Sequence, residues 1–416
     1  MTLPVKPILS SLRHHRLTTT LLVLQVALTC AIVINTGAQL VERVARITLP
    51  SGLPEDELSL ISVRGLNEAD NALAQQQTDL AALRAIHDVR NAVVLKNGSL
   101  PLSRNVYGTG GCISQQALDR AVAANGGDGI AGCVSVSAYG GSPGLVDAMG
   151  LHLASGRDFT PSEQAPDDEE RAVIVSRTLA AQLWPDQSPI GKSFYSFSAM
   201  APVPVVGVID DVLAPELGGS TNDRMVMLTS QNQASLSATY LLRSAPGDRQ
   251  HVLHEAADAL AKAGPSRLIS EDRQRTYTQV RRDYFQRDVT MLGLLIASSL
   301  ALLFVTALGI GGLANFWVGQ RTRQIGIRRA IGATRSDILR HFQAENFMIV
   351  GAGVALGMVL AYGLNQLLMR QYELDRLPLV YLPIGAVLLW VLGQVAVLAP
   401  ALRAARVPPA IATRAG

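Results

Sequence analysis

The chain is poor in charge. Only 17% of its 416 residues are Asp, Glu, Lys or Arg, against 48% hydrophobic residues. Soluble domains average about 25% charged residues, so a water-exposed surface along the whole length is excluded. Aromatic residues stop at 5% and cysteine at three positions, Cys30, Cys112 and Cys133. That supply excludes a disulfide-dense scaffold or a cysteine-rich zinc fold. A phosphate-binding loop is also missing. Gly191-Lys192-Ser193 has the ending of one, but Asp186 stands where its first glycine is needed, and Pro185 and Pro189 interrupt the wrap of backbone amides. The stretch reads as a turn, and no cofactor is expected on this chain.

The net charge of +3 conceals a split. Residues 41–288 carry 22 Lys and Arg against 29 Asp and Glu, a net of −7, and the remainder carries 14 against 4, a net of +10. A nucleic-acid-binding surface would put its basic stripe in the soluble part. Here that part is acidic, so nucleic acid is not an expected partner.

What the chain does have is four long runs without charge: 18–38, 289–320, 346–369 and 377–402. A helix needs about 20 apolar residues to cross a bilayer core. The expected class is a polytopic α-helical membrane protein with four transmembrane helices and a large extracytoplasmic α+β domain of two subdomains between helices 1 and 2. The divisions expected are an N-terminus (1–17), helix 1 (18–40), the outer domain with its stalk helices (41–288), helix 2 (289–319), a short segment (320–345), helix 3 (346–369), a loop (370–376), helix 4 (377–402) and a C-terminus (403–416).

Flanking charge sets the direction. Lys6, Arg13 and Arg16 precede the first run without an acid. Arg321, Arg323, Arg328, Arg329, Arg335 and Arg340 face only Asp337 and Glu345 between the second and third. Arg403, Arg406 and Arg414 follow the fourth, whereas Arg370 and Arg376 are balanced by Glu373 and Asp375. Both termini and residues 320–345 are therefore expected in the cytoplasm of a bacterium, with 41–288 in the periplasm. The first run continues through Val41, Glu42, Arg43 and Val44 without a small-residue cleavage site, as an uncleaved anchor would.

Within the outer region, 69–86 and 248–263 read as helices, and 89–95, 171–175, 203–209, 224–228 and 239–243 as strands. Ser176 caps a helix reaching Trp184, and 185–191 is a turn. The span 101–144 reads as loop-rich. Ser270-Glu271-Asp272 reads as the start of a charged stalk helix that runs to Asp288 and on into the second span. Cys112 and Cys133 lie on the outer side in glycine-rich stretches, where a disulfide would close a mobile loop; two free buried thiols are the alternative.

Chemistry is sparse. His251, His254 and Glu255 share one helix, but the spacing is not that of a helical zinc pair, and a solvated face accounts for them. No nucleophile–base–acid set stands out, so the chain is read as non-catalytic. The informative segment is 320–333, Q-R-T-R-Q-I-G-I-R-R-A-I-G-A. Contact with anionic lipid explains the arginines. It does not explain Gly326 and Gly332, or Ile325, Ile327 and Ile331 set between the arginines. Those suit a packed helix that docks on a partner protein.

Four stretches together resemble the MacB-like permeases of the FtsX permease family. Residues 321–334 resemble R-x-R-E-x-G-I-R-x-A-x-G-A, with Gln324 where Glu is usual. Residues 149–159 resemble M-G-x-x-x-x-x-G-R-x-F, residues 173–192 resemble V-I-x-x-x-x-A-x-x-x-W…P-I-G-K, and residues 400–409 resemble P-A-x-x-A-A-R-x-x-P. The resemblance implies an ABC transporter permease subunit for efflux or mechanotransmission, with Arg321, Arg323, Gly326, Arg328, Arg329 and Gly332 docking a separate cytoplasmic ATPase that hydrolyses ATP. It also implies a dimer with a second copy or a related permease, and for an exporter a periplasmic membrane-fusion partner. The alternatives are an FtsX-type signalling subunit that controls a periplasmic partner without export, and an orphan receptor.

Overall fold

The structure is a computed structural model. It describes residues 16–67, 71–106, 108–127, 129–163, 169–197, 199, 201–218, 221–230, 234–264, 267–372 and 378–406. Among the charges used above for orientation, Lys6, Arg13, Glu373, Asp375, Arg376 and Arg414 lie outside the described residues, as do the last positions of the 400–409 motif. The chain divides into two packed units, Thr48–Arg287 and Met1–Ile47 with Asp288–Gly416.

The strands of the first unit are β1 (Leu58–Gly65), β2 (Val89–Leu95), β3 (Gly108–Cys112), β4 (Cys133–Gly140), β5 (Leu153–Gly156), β6 (Val173–Ser176), β7 (Ser193–Ser196), β8 (Val203–Ile209), β9 (Val226–Thr229), β10 (Ser237–Ser244) and β11 (Arg267–Thr276). They form two sheets. One is antiparallel with order β11-β1-β10-β2. Strand side chains alternate between faces. Ile61, Val63, Val94, Tyr240 and Leu242 meet Leu83 of the helix Ala72–Arg84 and Val252, Ala256 and Leu260 of the helix Arg249–Ala263. Leu58, Leu60, Val93 and Leu241 point the other way, into a core shared with Tyr139, Ile174, Val206 and Leu228 of the second sheet.

The second sheet runs β5-β8-β6-β9-β4-β3-β7. Ser193 and Phe194 of β7 also pair with Pro204 and Val203 of β8, so the strands from β8 round to β7 close into a ring. Val136, Val175, Phe194, Val205 and Met227 pack together with Leu179 and Leu183 of the helix Arg177–Leu183 and with Trp184 at its end. Ser176 caps that helix, accepting a hydrogen bond from Leu179 N.

Two sequence expectations need correction here. Residues 101–144 are not loop-rich throughout: they contain β3, the helix Gln115–Ala123 and β4. The glycines of β3 suggested a loop, yet they make room for aromatic rings. A Cβ on Gly111 would lie 2.1 Å from Phe194 Cζ, and one on Gly110 2.3 Å from Phe197 Cε2. Residues 270–276 are not the start of a helix but part of β11, an edge strand paired with β1. Polar, charged residues are the usual protection of such an edge. The helix begins at Tyr277, where Thr276 N donates to Gln279 Oε1 (2.9 Å) and Gln279 N donates to Thr276 Oγ1 (3.4 Å). This reciprocal pair is a capping box.

The other unit holds helices long and apolar enough to cross a membrane. Four are present among the described residues: Arg16–Ile47, Tyr277–Gln320, Arg335–Leu367 and Tyr381–Ala405. We call them the first to fourth spans; residues 288–320 of the second belong to this unit. Small residues bring backbones together, as in other membrane helices. Gly353 and Gly357, one turn apart on the third span, face Val26 and Cys30 of the first, with added Cβ atoms at 2.7 and 2.4 Å from their Cβ atoms. Gly393 of the fourth span meets Val350 of the third in the same way. Two polar contacts cross the bundle: Thr29 and Thr306 share a hydrogen bond of 2.7 Å, and Asn346 Nδ2 donates to Gly393 O at 2.9 Å.

Candidate docking segment between the second and third spans

The second span ends at Gln320, and a short helix, Thr322–Ala330, follows at once. An apolar side chain packs it against the bundle. Ile325 is buried in a cluster that includes Trp317, Val318, Ile338, Phe342, Ala401, Ala404 and Ala405. Gly326 beside it is buried too. The small residues of the 400–409 motif therefore pack in the same cluster as the 321–334 motif.

Two of the six proposed docking residues are engaged internally. Arg321 Nη1 donates to both carboxylate oxygens of Glu345, at 3.1 and 3.0 Å. Arg329 Nη1 donates to Ala405 O at 3.3 Å, tying the short helix to the end of the fourth span. The helix stops at Gly332, whose φ of +109° suits glycine. Ala333 N donates to Arg328 O (3.0 Å) and Gly332 N to Arg329 O (3.2 Å), satisfying carbonyls of the last turn. A Cβ at Gly332 would meet nothing of this chain within 4 Å, so within the chain it is backbone conformation that calls for glycine here. Thr334 then caps the next helix, accepting from Asp337 N at 3.2 Å while Asp337 Oδ2 accepts from Thr334 N at 3.0 Å.

What remains faces outward. Arg323, Gln324 and Arg328 are exposed, as are Ile327 (47%) and Ile331 (83%). Positions 323, 327 and 331 recur at intervals of one turn, with 324 and 328 beside them, so all five share one face. The structure thus separates the arginines of this segment. Arg321 and Arg329 hold the helix in place, and Arg323 and Arg328 flank two exposed isoleucines. Sequence reasoning missed Glu345, because its contact spans 24 residues and leaves no local pattern.

The motifs of the Thr48–Arg287 unit have structural roles. Gly156 has φ +80°, and a Cβ there would stand 2.3 Å from Val206 O. Arg157 forms a forked ion pair with Glu163, Nη2 to Oε1 at 2.6 Å and Nη1 to Oε2 at 2.8 Å. Those hydrogen bonds, with another from Thr160 N, hold the Glu163 carboxyl down at about 2. Phe159 packs against the core between the sheets. Cys112 and Cys133 face each other across β3 and β4 and are joined as a disulfide. His251 pairs with Glu255 at 3.2 Å on an exposed helix face. No group of three or more His, Cys, Asp or Glu that could hold a metal occurs among the described residues.

Comparison with known proteins fits this architecture. The MacB-like periplasmic core domain matches residues 38–260, and the FtsX-like permease C-terminal domain matches residues 296–409. The macrolide export ATP-binding/permease protein MacB of Hahella chejuensis is 28% identical over 271 residues, 61% of this chain and 37% of that protein. Its counterpart in Nitrosomonas europaea is 31% identical over 230 residues, 52% of this chain and 33% of that protein. The chain thus spans about a third of the length of the curated relatives it matches. Among solved structures, the extracellular domain of the transporter YknZ from Gram-positive bacteria covers 51% of this chain and 100% of its own at 16% identity, with a TM-score of 0.31. The periplasmic region of MacB from Actinobacillus actinomycetemcomitans covers 55% of this chain and 95% of its own at 12% identity, also with a TM-score of 0.31. With the core-domain match extending over more than half of its length and the permease domain following in order, the chain belongs to the FtsX-like permeases that carry a MacB-like periplasmic core domain.

Proposed function

We propose that this chain is the permease subunit of an ABC transporter, in an efflux or mechanotransmission complex, and that a separate cytoplasmic ATPase docks on the face formed by Arg323, Gln324, Ile327, Arg328 and Ile331. The observation that carries this reading is the exposure of Ile327 and Ile331, at 47% and 83%, between exposed arginines on a helix that this chain already anchors from its other side. Apolar side chains framed by arginines are the composition of a protein-binding centre, where Arg supplies planar, two-pronged hydrogen bonding. The names of the relatives favour export. A second permease copy or a related chain would complete the dimer, and a membrane-fusion protein would meet the core domain. The second span supports a mechanical role, since it is one unbroken helix of 44 residues whose first turns belong to the outer unit.

The test separates protein docking from lipid contact. Lipid attraction follows summed charge, so Arg323→Lys would leave it intact. On the docking reading, Ile331→Asp abolishes co-purification with the cognate ATPase, and Arg323→Lys weakens it at least tenfold, while membrane insertion persists. Normal ATPase capture and stimulation by both variants would overturn the assignment. Gly332→Leu is the poorer probe, because φ +109° makes any side chain there disturb the turn itself.

A further inference from the structure

The short helix Thr322–Ala330 has two opposite faces. Positions 321, 325 and 329 recur at one-turn intervals, and 323, 327 and 331 lie about 200° round the axis from them. The first set points into the bundle and the second points out. A load on the outward face is therefore borne at three inward points. Arg321 meets Glu345 of the third span, Ile325 enters the apolar cluster, and Arg329 meets Ala405 O at the end of the fourth span.

The first of these points differs in kind from the other two. Ile325 packs by shape, and Arg329 binds a main-chain carbonyl. Arg321 is held by an opposite charge, with its Nη1 between the two oxygens of one carboxylate. It is also the residue at which the second span gives way to the short helix, with φ −101° and ψ 9° and a side chain that makes no capping bond. Its partner Glu345 is 2% exposed and is the last charged residue before the uncharged run 346–369. The other acid of the segment, Asp337, is occupied in capping its own helix with Thr334. A carboxylate buried at the edge of a span is costly, and such residues mark function in membrane helices. A buried ion pair adds little stability over an apolar pair of the same size. What it adds here is direction, because the guanidinium at the bend is drawn to one place on the third span.

We propose that Glu345 is a positioning residue for the docking segment: through Arg321 it fixes the short helix against the third span, so that an ATPase seated on the outward face moves that span and not the helix alone. The inference rests on the docking reading. It adds that capture of the ATPase and response to it are separable, since the outward face that captures does not include Glu345.

The experiment uses the full chain in nanodiscs. A spin label at Ala330→Cys, an exposed position, reports the motion of the short helix without any ATPase; Cys30 is buried and Cys112 and Cys133 are bonded, so the new thiol takes the label. Glu345→Gln raises the mobility of the label. It captures the cognate ATPase within a factor of about two, yet stimulated hydrolysis falls about fivefold or more, the lower end of couplings between sites. Glu345→Gln leaves Arg321 buried without its carboxylate and can impair folding, so Arg321→Met with Glu345→Met is the second variant. With both charges gone, its melting curve returns toward that of the unaltered chain. Label mobility stays high and stimulation stays low. Arg340→Gln, which removes an exposed charge from the same helix, changes neither readout. Mobility and stimulation that recover in the double variant along with the melting curve would reduce the pair to a stability role and overturn the proposal. So would unchanged mobility in Glu345→Gln, or capture and stimulation lost in equal proportion. If the unaltered chain captures no ATPase, the docking reading falls by itself, and the spin label still decides whether Glu345 fixes the helix.

Discussion

Arg157 and Glu163 illustrate what a single motif position does in this chain. The arginine follows Gly156, whose positive φ turns the chain, and its fork closes residues 157–163 into a fixed loop. The linkage has a definite sign. The Glu163 carboxyl is held down at about 2, below its ordinary value. Its contribution to stability is therefore complete above roughly pH 4.3, the unfolded value, and fades as pH falls toward the folded value. Hydrogen exchange at residues 157–163 of the full chain in detergent should speed up as pH falls from about 4.5 to 2, beyond the intrinsic pH dependence of exchange. Glu163→Gln should leave the loop open and its protection flat across that window; a variant that retains the acid transition would mean another group governs it. Residues whose partners are local were legible in the sequence, as with Ser176 capping its own helix. Those with distant partners were not: the bond from Arg321 to Glu345 left no sign because the two are far apart along the chain. Gly332 was legible as special, but its helix-ending φ was not, since a glycine that ends a helix and one that admits a neighbour look alike before φ is known.

At the scale of elements, periodicity located the strands 203–209 and 89–95 at their observed bounds, because each is rich in valine and other apolar residues. It failed where side chains elsewhere supply what the element lacks, as the two phenylalanines do for the glycines of β3. It failed again at β11, where Ser270-Glu271-Asp272 imitates a helix start, while the actual box, Thr276 to Gln279, lies six residues on. The pair Gly353 and Gly357 was embedded in a run read only for its hydropathy; its role is to seat the first span. Gly357→Leu should force the spans apart, at a cost of about 1–3 kcal/mol. Cys30, whose Cβ lies 2.4 Å from where the new Cβ would stand, is the free thiol of the chain and is buried, so it reports the separation directly. A membrane-permeant maleimide should label Cys30 several-fold faster in Gly357→Leu than in the unaltered chain. Gly363→Leu, where an added Cβ meets nothing within 4 Å, should label at the original rate. Equal labelling of all three proteins would mean that this pair does not hold the spans together.

At the scale of the whole molecule, the order of domains was legible because hydropathy and charge are properties of long stretches, which tertiary contacts do not rewrite. Four spans put both termini on one side of the membrane, whichever side that is. We propose the side on two independent arguments. The basic excess of the regions outside 41–288, a net of +10, belongs in the cytoplasm, since lysines and arginines beside spans resist translocation. The Cys112–Cys133 disulfide belongs in a compartment where thiols are oxidised, which the bacterial cytoplasm is not. The opposite orientation would violate both at once. A reporter active only in the cytoplasm should therefore work when fused after Gly416, and one active only after export should work when inserted at Pro166, with Cys112 and Cys133 resisting alkylation in intact cells until a reductant is added. Export-active signal at the C-terminus, or two freely alkylated cysteines in folded protein, would invert the orientation. The segment carrying Arg323 and Ile331 would then face away from any cytoplasmic ATPase, and the docking reading would fall with it.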